Sequence, residues 1–357
     1  MSCPVLIVTV PGALSPVLGT ALSLHPGLVI RDGADIDGFR SNLDTHTRAR
    51  SKSDQMPWAQ ARDWVDDLVE AEVRRLATPE PGRLTVWRAR DPHTAATTAR
   101  ALGAVPVVWI ADGRHGLPSL GPPTDSGDRI EQTAWAGHAW EAAASTAEAL
   151  PGALHLTRET QPAAVLAALG VASHGPTEDA LELMRHLGTP GIAPVTAAAF
   201  GACPAAARRL RRLGQPTTTP PAHPVVTLLH ARDAAAAGRL DDARVQAMQI
   251  LAEPSSARVR SGAIELLIEA GATDDAMDAY IVWIRETDHA LAWAGALSLA
   301  EHPRSGGVAR RARRHGDPEV RSALARWLVH HGLDPQAAET VASVRGLPWY
   351  RPAPHHR

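Results

Sequence analysis

Six mostly apolar and β-branched residues, Val5 to Val10, run straight into a turn and a helix start, and this stretch limits the fold more than any other. The run reads as a fully buried strand. The turn is Pro11-Gly12-Ala13-Leu14. Ser15 then takes the helix N-cap position and Pro16 the first helical position. Val17, Leu18, Ala21 and Leu22 give that helix an inward face. A strand, a tight loop and a helix start aim backbone N–H groups and the positive helix end at an anion. The same pattern is also the first βα unit of any α/β domain, so it needs support from elsewhere in the chain.

The chain repeats the pattern. Leu84 to Trp87 is a short strand, and Asp91-Pro92 opens a helix that runs from about His93 to Leu102 and closes at Gly103. Val105 to Ile110 is a second continuous apolar strand, followed by a loop rich in Gly, Pro and Ser, Pro118 to Asp128. The next helix reaches Leu150 with Trp135, Ala139, Ala142, Thr146 and Ala149 on one stripe. A strand at Ala153 to Thr157 and a helix from Pro162 to Gly170 complete the series. Continuous apolar strands alternating with helices predict a mostly parallel sheet covered on both faces. An amphipathic helix from about Pro57 precedes all of these but the first strand, and the polar stretch Arg31 to Gln55 before it reads as one long loop. From Pro176 to Gln215 the chain is mainly helical. It ends in Arg208, Arg209, Arg211 and Arg212, a run read as a solvated helix face.

A Thr/Pro-rich segment, residues 216–222, marks a linker between a first domain, 1–215, and a second, 223–346, with a flexible tail at 347–357. The second domain is helical and repeats. Val259-Arg260-Ser261, Gly271 and Ala276 return as Val320-Arg321-Ser322, Gly332 and Ala337, with Ala290 to Ala300 halfway between. Helix pairs at about thirty residues predict an α-solenoid of HEAT-like or TPR-like units, a surface suited to a protein partner.

The net charge of −2 gives no global field for nucleic acid or an anionic membrane. Lys52 is the only lysine, so a catalytic lysine is restricted to it. Cys3 and Cys203 form no zinc knuckle or disulfide framework. The N-terminus has no basic n-region, and no window approaches a membrane span, which predicts a cytoplasmic protein. No Gly-Lys-Ser/Thr follows the first loop, no G-x-G-x-x-G occurs, and no serine nucleophile elbow is present.

What remains is a spaced constellation over roughly residues 4 to 214, and it resembles the PAPS-dependent sulfotransferases. In that family the first strand ends in P-R/K-S-G-T-T/S, which wraps the 5′-phosphosulfate, and many members close the next helix with His-Pro. Here Pro11 and His25-Pro26 stand at the family's separation. A later family strand ends R-D-P-R-x-x-x-x-S, whose first Arg and last Ser hold the 3′-phosphate. Here it reads Ala111-Asp112-Gly113-Arg114 through to Ser119. Arg90-Asp91-Pro92 is similar to the family's K-T/S-P, and Glu159 followed by Pro162 to its Y-E-D-L-x-x-x-P.

The resemblance implies a P-loop-like α/β fold and sulfuryl transfer from PAPS to a hydroxyl or amine acceptor. It implies a donor site at Pro11, Gly12, Ala13, Leu14, Ser15, Arg114 and Ser119. Arg90 would be the sulfuryl-contacting cation and His93 the general base, with His46 its rival. The chain departs from the family on charge. Gly12, Ala13 and Leu14 replace the loop's cation and its neighbours, and Ala111 replaces the 3′-phosphate arginine, a contact worth about 2–3 kcal/mol. These losses leave a second expectation, a catalytically degenerate pseudoenzyme acting as a binding module through its helical repeats.

Overall fold

A computed structural model describes residues 5–9, 15–32, 36, 38–40, 42–43, 58–76, 82–89, 92–104, 106–110, 129–157, 160–186, 198–213, 219–220 and 222–343. Within these, the side chains at 9, 15–16, 32, 58–63, 92–93, 109–110 and 341–343 fall outside the description. The chain forms two compact units, Met1–Pro221 and Ala222–Arg357.

The first unit is α/β, and its sheet is parallel throughout. Its strands are β1 (Val5–Thr9), β2 (Leu28–Asp32), β3 (Leu84–Ala89), β4 (Pro106–Ile110) and β5 (Leu154–Thr157), in the order β2-β3-β1-β4-β5. The helices are α1 (Ser15–Ser23), α2 (Trp58–Leu76), α3 (Pro92–Leu102), α4 (Arg129–Glu148), α5 (Pro162–Ala168), α6 (Gly175–His186) and α7 (Pro204–Arg212).

Parallel crossovers are right-handed. The step from β1 to β2 runs one way along the sheet, and the steps from β2, β3 and β4 run the other way. Helix α1 therefore covers one face, while α2, α3 and α4 cover the other. The packing agrees. Ile7, Val86, Val107 and Leu156 share a core with Leu18 and Leu22 of α1, Val165 and Leu166 of α5, and Leu181 and Met184 of α6. On the opposite face lie Leu6 and Val8, and α3 packs between α2 and α4.

Three sequence expectations change. The stretch after Pro26 begins as an edge strand, β2, and Ile36 and Arg40 beyond it are buried; Arg40 pairs with Asp66 of α2 at 2.6 Å and donates to Thr97 of α3 at 3.2 Å. Polar residues at a sheet edge masked a short apolar run, Leu28 to Ile30. Helix α4 turns a different stripe inward: Thr133, Ala134, Gly137, Trp140, Glu141, Ala144 and Ala147 are buried with Trp135, while Ala139, Ala142 and Ala149 are exposed. An alanine-rich helix has little amphipathicity of its own, so its neighbours choose the face. The third change concerns Arg209. It is buried, and its guanidinium binds Glu141 (Nε to Oε2, 2.5 Å), Glu148 and Ser145 of α4.

His25 fixes the end of α1. Its Nδ1 accepts the Gly27 N–H at 3.0 Å, and its Nε2 lies 3.1 Å from the Ala172 carbonyl as donor. The Leu84 N–H then bonds the Gly27 carbonyl at 2.8 Å. With both ring nitrogens used and the residue buried, His25→Ala is expected to cost about 2 kcal/mol. Urea unfolding monitored by circular dichroism measures it, and an unchanged midpoint would remove this role.

The second unit is helical: α8 (Pro224–Ala236), α9 (Leu240–Leu251), α10 (Ala257–Glu269), α11 (Thr273–Thr287), α12 (Ala290–Ser298), α13 (Ser305–Ala312), α14 (Pro318–His330) and α15 (Pro335–Ser343). They pack as four successive pairs, each on the next. His223, Ser256, His289 and Asp317 stand at the matching N-cap of α8, α10, α12 and α14, each accepting a backbone N–H. Ion pairs cross between the pairs, as with Arg244 and Asp275 at 2.7 Å. Tyr280 of α11 lies under Gly295 of α12; burial, with the charge of Glu265 adding, pushes its phenol up to about 12, so it stays neutral.

Candidate functional site

In an open parallel sheet a ligand crevice forms beyond the carboxyl ends of adjacent strands whose connections leave in opposite directions. Here that position is β1. Its connection departs toward β2 on the α1 face, while the connections of both neighbours, β3 and β4, depart on the other face. Ile7 of β1 is level with Arg88 of β3 and Val107 of β4, so the three strands end side by side.

The predicted site residues belong to the segments that follow these three strands. Pro11, Gly12, Ala13 and Leu14 follow β1, Arg90 follows β3, and Arg114 and Ser119 follow β4; all seven lie outside the described residues, as does His46. Ser15 is described as the first residue of α1 and His93 as the second residue of α3, in backbone only. Helix α1 has no acidic residue in its first turn to compete with an anion. His25 sits at the opposite, amino-terminal end of the strands, in the turn that leads into β2, and has the packing role described above.

Sequence reasoning missed one residue at this position. Arg88, next to last in β3, is buried, and its guanidinium lies against α1: a Cβ on Gly19 would stand 2.6 Å from Nη1. Strand alternation puts Leu84, Val86 and Arg88 on the α1 face, so an arginine inside a strand that is otherwise buried was the available signal. Arg88 is thus a buried cation on the strand that pairs with β1. Gly19 has the size that such a neighbour requires.

Elsewhere in this unit, Cys203 is a buried cysteine whose sulfur lies 3.7 Å from Nδ1 of His138. Among the described residues no group of three His, Cys, Asp or Glu side chains converges as a metal site, and no helix is long and apolar enough to cross a membrane. No protein-family model matches the chain, and no curated protein matches it.

Proposed function

We propose that the first unit is a sulfotransferase-like, P-loop-like domain that transfers a sulfuryl group from PAPS to a hydroxyl or amine acceptor. One observation carries the reading. The three segments whose motifs resemble the family's donor contacts follow β3, β1 and β4, the three adjacent strands around the switch point. Those motifs are separated by up to about a hundred residues of chain, and nothing in their spacing requires their strands to be neighbours.

PAPS supplies the activated sulfuryl group and carries several negative charges. The residues present fit such an anion in part. The start of α1 offers backbone N–H groups, and Arg88 offers a buried cation beside that helix. In this reading Arg88 takes over the neutralising role that Gly12, Ala13 and Leu14 have given up, since positioned cations carry much of a transfer between anionic oxygens. Arg90 and His93 begin the segment after β3. His93 would accept the acceptor's proton as the acceptor's bond to sulfur forms and the bond from sulfur to the donor's 5′-phosphate oxygen breaks, with PAP leaving. Arg114 and Ser119 would hold the 3′-phosphate end.

The second unit is read as a HEAT-like solenoid serving a protein partner. The charge losses in the first loop support a second reading, a catalytically degenerate form in which this partner role replaces transfer.

Thermal unfolding in the presence of PAP, the desulfated product, tests the donor site. A ligand at about a hundredfold excess over its Kd stabilises the native state by about 2.7 kcal/mol. The expected result is a rise in melting temperature for the wild type, reduced in Ser119→Ala and in Gly19→Ala, whose new Cβ must displace the Arg88 guanidinium. No shift at millimolar PAP would remove the enzyme reading. A shift retained by both variants would remove the site assignment.

A further inference from the structure

Charge is segregated along the helical unit. Residues 222–303 carry six arginines against twelve carboxylates, whereas 304–331 carry seven arginines against two. The second segment is α13, the turn after it and α14. One of its two carboxylates is already committed: Asp317 caps α14, accepting the Glu319 N–H at 2.7 Å.

The basic groups converge on that turn. The Arg311 guanidinium lies 5.6 Å from the Trp293 ring, and the His315 ring lies 5.6 Å from the same indole. Arg321 reaches back from α14 and donates to the Gly316 carbonyl at 3.0 Å. Arg310 and Arg314 are exposed, and the side chains of these two and of Arg313 make no hydrogen bond, ion pair or ring contact among the described residues. Two nitrogens of Arg313, Nε and Nη2, are shut off from solvent with no acceptor among the described residues. A buried guanidinium N–H without an acceptor is costly, and so is a crowd of like charges. The macrodipole of α13 accounts for Arg310 and Arg311 at its C-terminal turn. It does not account for Arg313 and Arg314 past the helix end, or for Arg321 arriving from another helix.

We propose that the α13–α14 turn is a docking surface for an acidic peptide segment of a partner protein. Carboxylates seated there would give Arg310 and Arg314 counter-charges and draw Arg313 out of its unsatisfied position into charge-assisted bonds. A compact acidic segment fits better than an extended polyanion such as duplex nucleic acid. The basic surface is confined to one turn, and the chain before it, up to Glu301, has twice as many carboxylates as arginines. The inference deepens the reading of this unit as a partner module. It stands apart from sulfuryl transfer, and PAP binding and peptide binding fail separately.

The test is fluorescence anisotropy of a fluorescein-labelled oligoglutamate peptide titrated with the full-length protein at low salt. Saturable binding that weakens as NaCl rises is expected, because surface charge pairing is screened. Arg310→Glu with Arg314→Glu should weaken it at least about tenfold, since each reversal replaces an attraction with a repulsion. Arg239→Glu on α9 should leave it unchanged. Arg310→Gln with Arg314→Gln replaces the reversal if that variant does not fold by circular dichroism. Absence of binding at low salt, or equal binding by the double variant, overturns the proposal. So does tighter binding of a short DNA duplex that displaces the peptide. Salt-sensitive self-association abolished by the double reversal also overturns it, in favour of a second copy of this chain as occupant.

Discussion

Arg209→Met is expected to destabilise the α/β unit by about 3–5 kcal/mol, the range for breaking a buried charge pair by removing one partner. Its side chain is 3 % exposed and joins α7 to Glu141, Ser145 and Glu148 on α4, with the guanidinium 6.0 Å from the Trp140 ring. Methionine would fill much of the space and leave the Glu141 carboxylate buried without its cation. For a unit of this size the melting temperature should fall by roughly 10 °C. Adding Glu141→Gln and Glu148→Gln should recover part of the loss, because it removes the stranded charges. A drop below about 1 kcal/mol in the single variant would show that α4 and α7 are held by other contacts.

The same contact has a pH signature. The Arg209 hydrogen bond holds the Glu148 carboxyl below its usual value of 4.5, opposed in part by burial. The folded state therefore binds that proton less readily than the unfolded chain. Its stabilisation is complete at neutral pH and is lost as pH falls below about 4.5 through the lowered folded value. The gap in melting temperature between wild type and Arg209→Met should narrow over that range. A gap independent of pH would separate Glu148 from the effect.

Gly137→Ala is expected to be destabilising although it places a better helix former inside α4. Alanine gains about 1 kcal/mol over glycine in a helix interior. Here, however, the new Cβ would stand 1.9 Å from the Phe200 carbonyl oxygen. That atom is backbone, so the segment around Phe200 has to move away from α4. The clash should outweigh the propensity gain and leave a net loss of about 2 kcal/mol. Gly307→Ala in α13 is the control, since nothing lies within 4 Å of its added Cβ, and a small gain is expected there. If thermal denaturation moved both variants upward, the close approach at Gly137 would be wrong.

Strands β1 and β4 were legible as nearly continuous apolar runs, and β3 and β5 as short runs set between turn and helix signals. β2 was not, because Leu28 to Ile30 runs directly into Arg31 and Asp32, at an edge where one side of the strand has no partner among the described residues. The buried stripe of α4 was misassigned because alanine satisfies either side of a helix, and the decision rests with Gly137 and Trp140 meeting Phe200. Arg209 was read as solvated because its run of arginines looks like any exposed basic face. Its carboxylate partners lie 61 and 68 residues earlier. For the candidate site, the sequence supplied the motif segments and an arginine inside a buried strand, Arg88, but not the helix that this arginine meets.

What the amino-acid sequence determines by itself is local. It sets the alternation of apolar strands and helices, the run of short helices beyond the linker, and the absence of a cation between Pro11 and Leu14. Each is readable within a window of a few turns, where periodicity and capping act. The order β2-β3-β1-β4-β5, the cation that β3 brings beneath α1 and the burial of Arg209 were decided only by the tertiary structure. Strand pairing and charge neutralisation join residues tens of positions apart. No short window of sequence encodes which distant partner will be nearest.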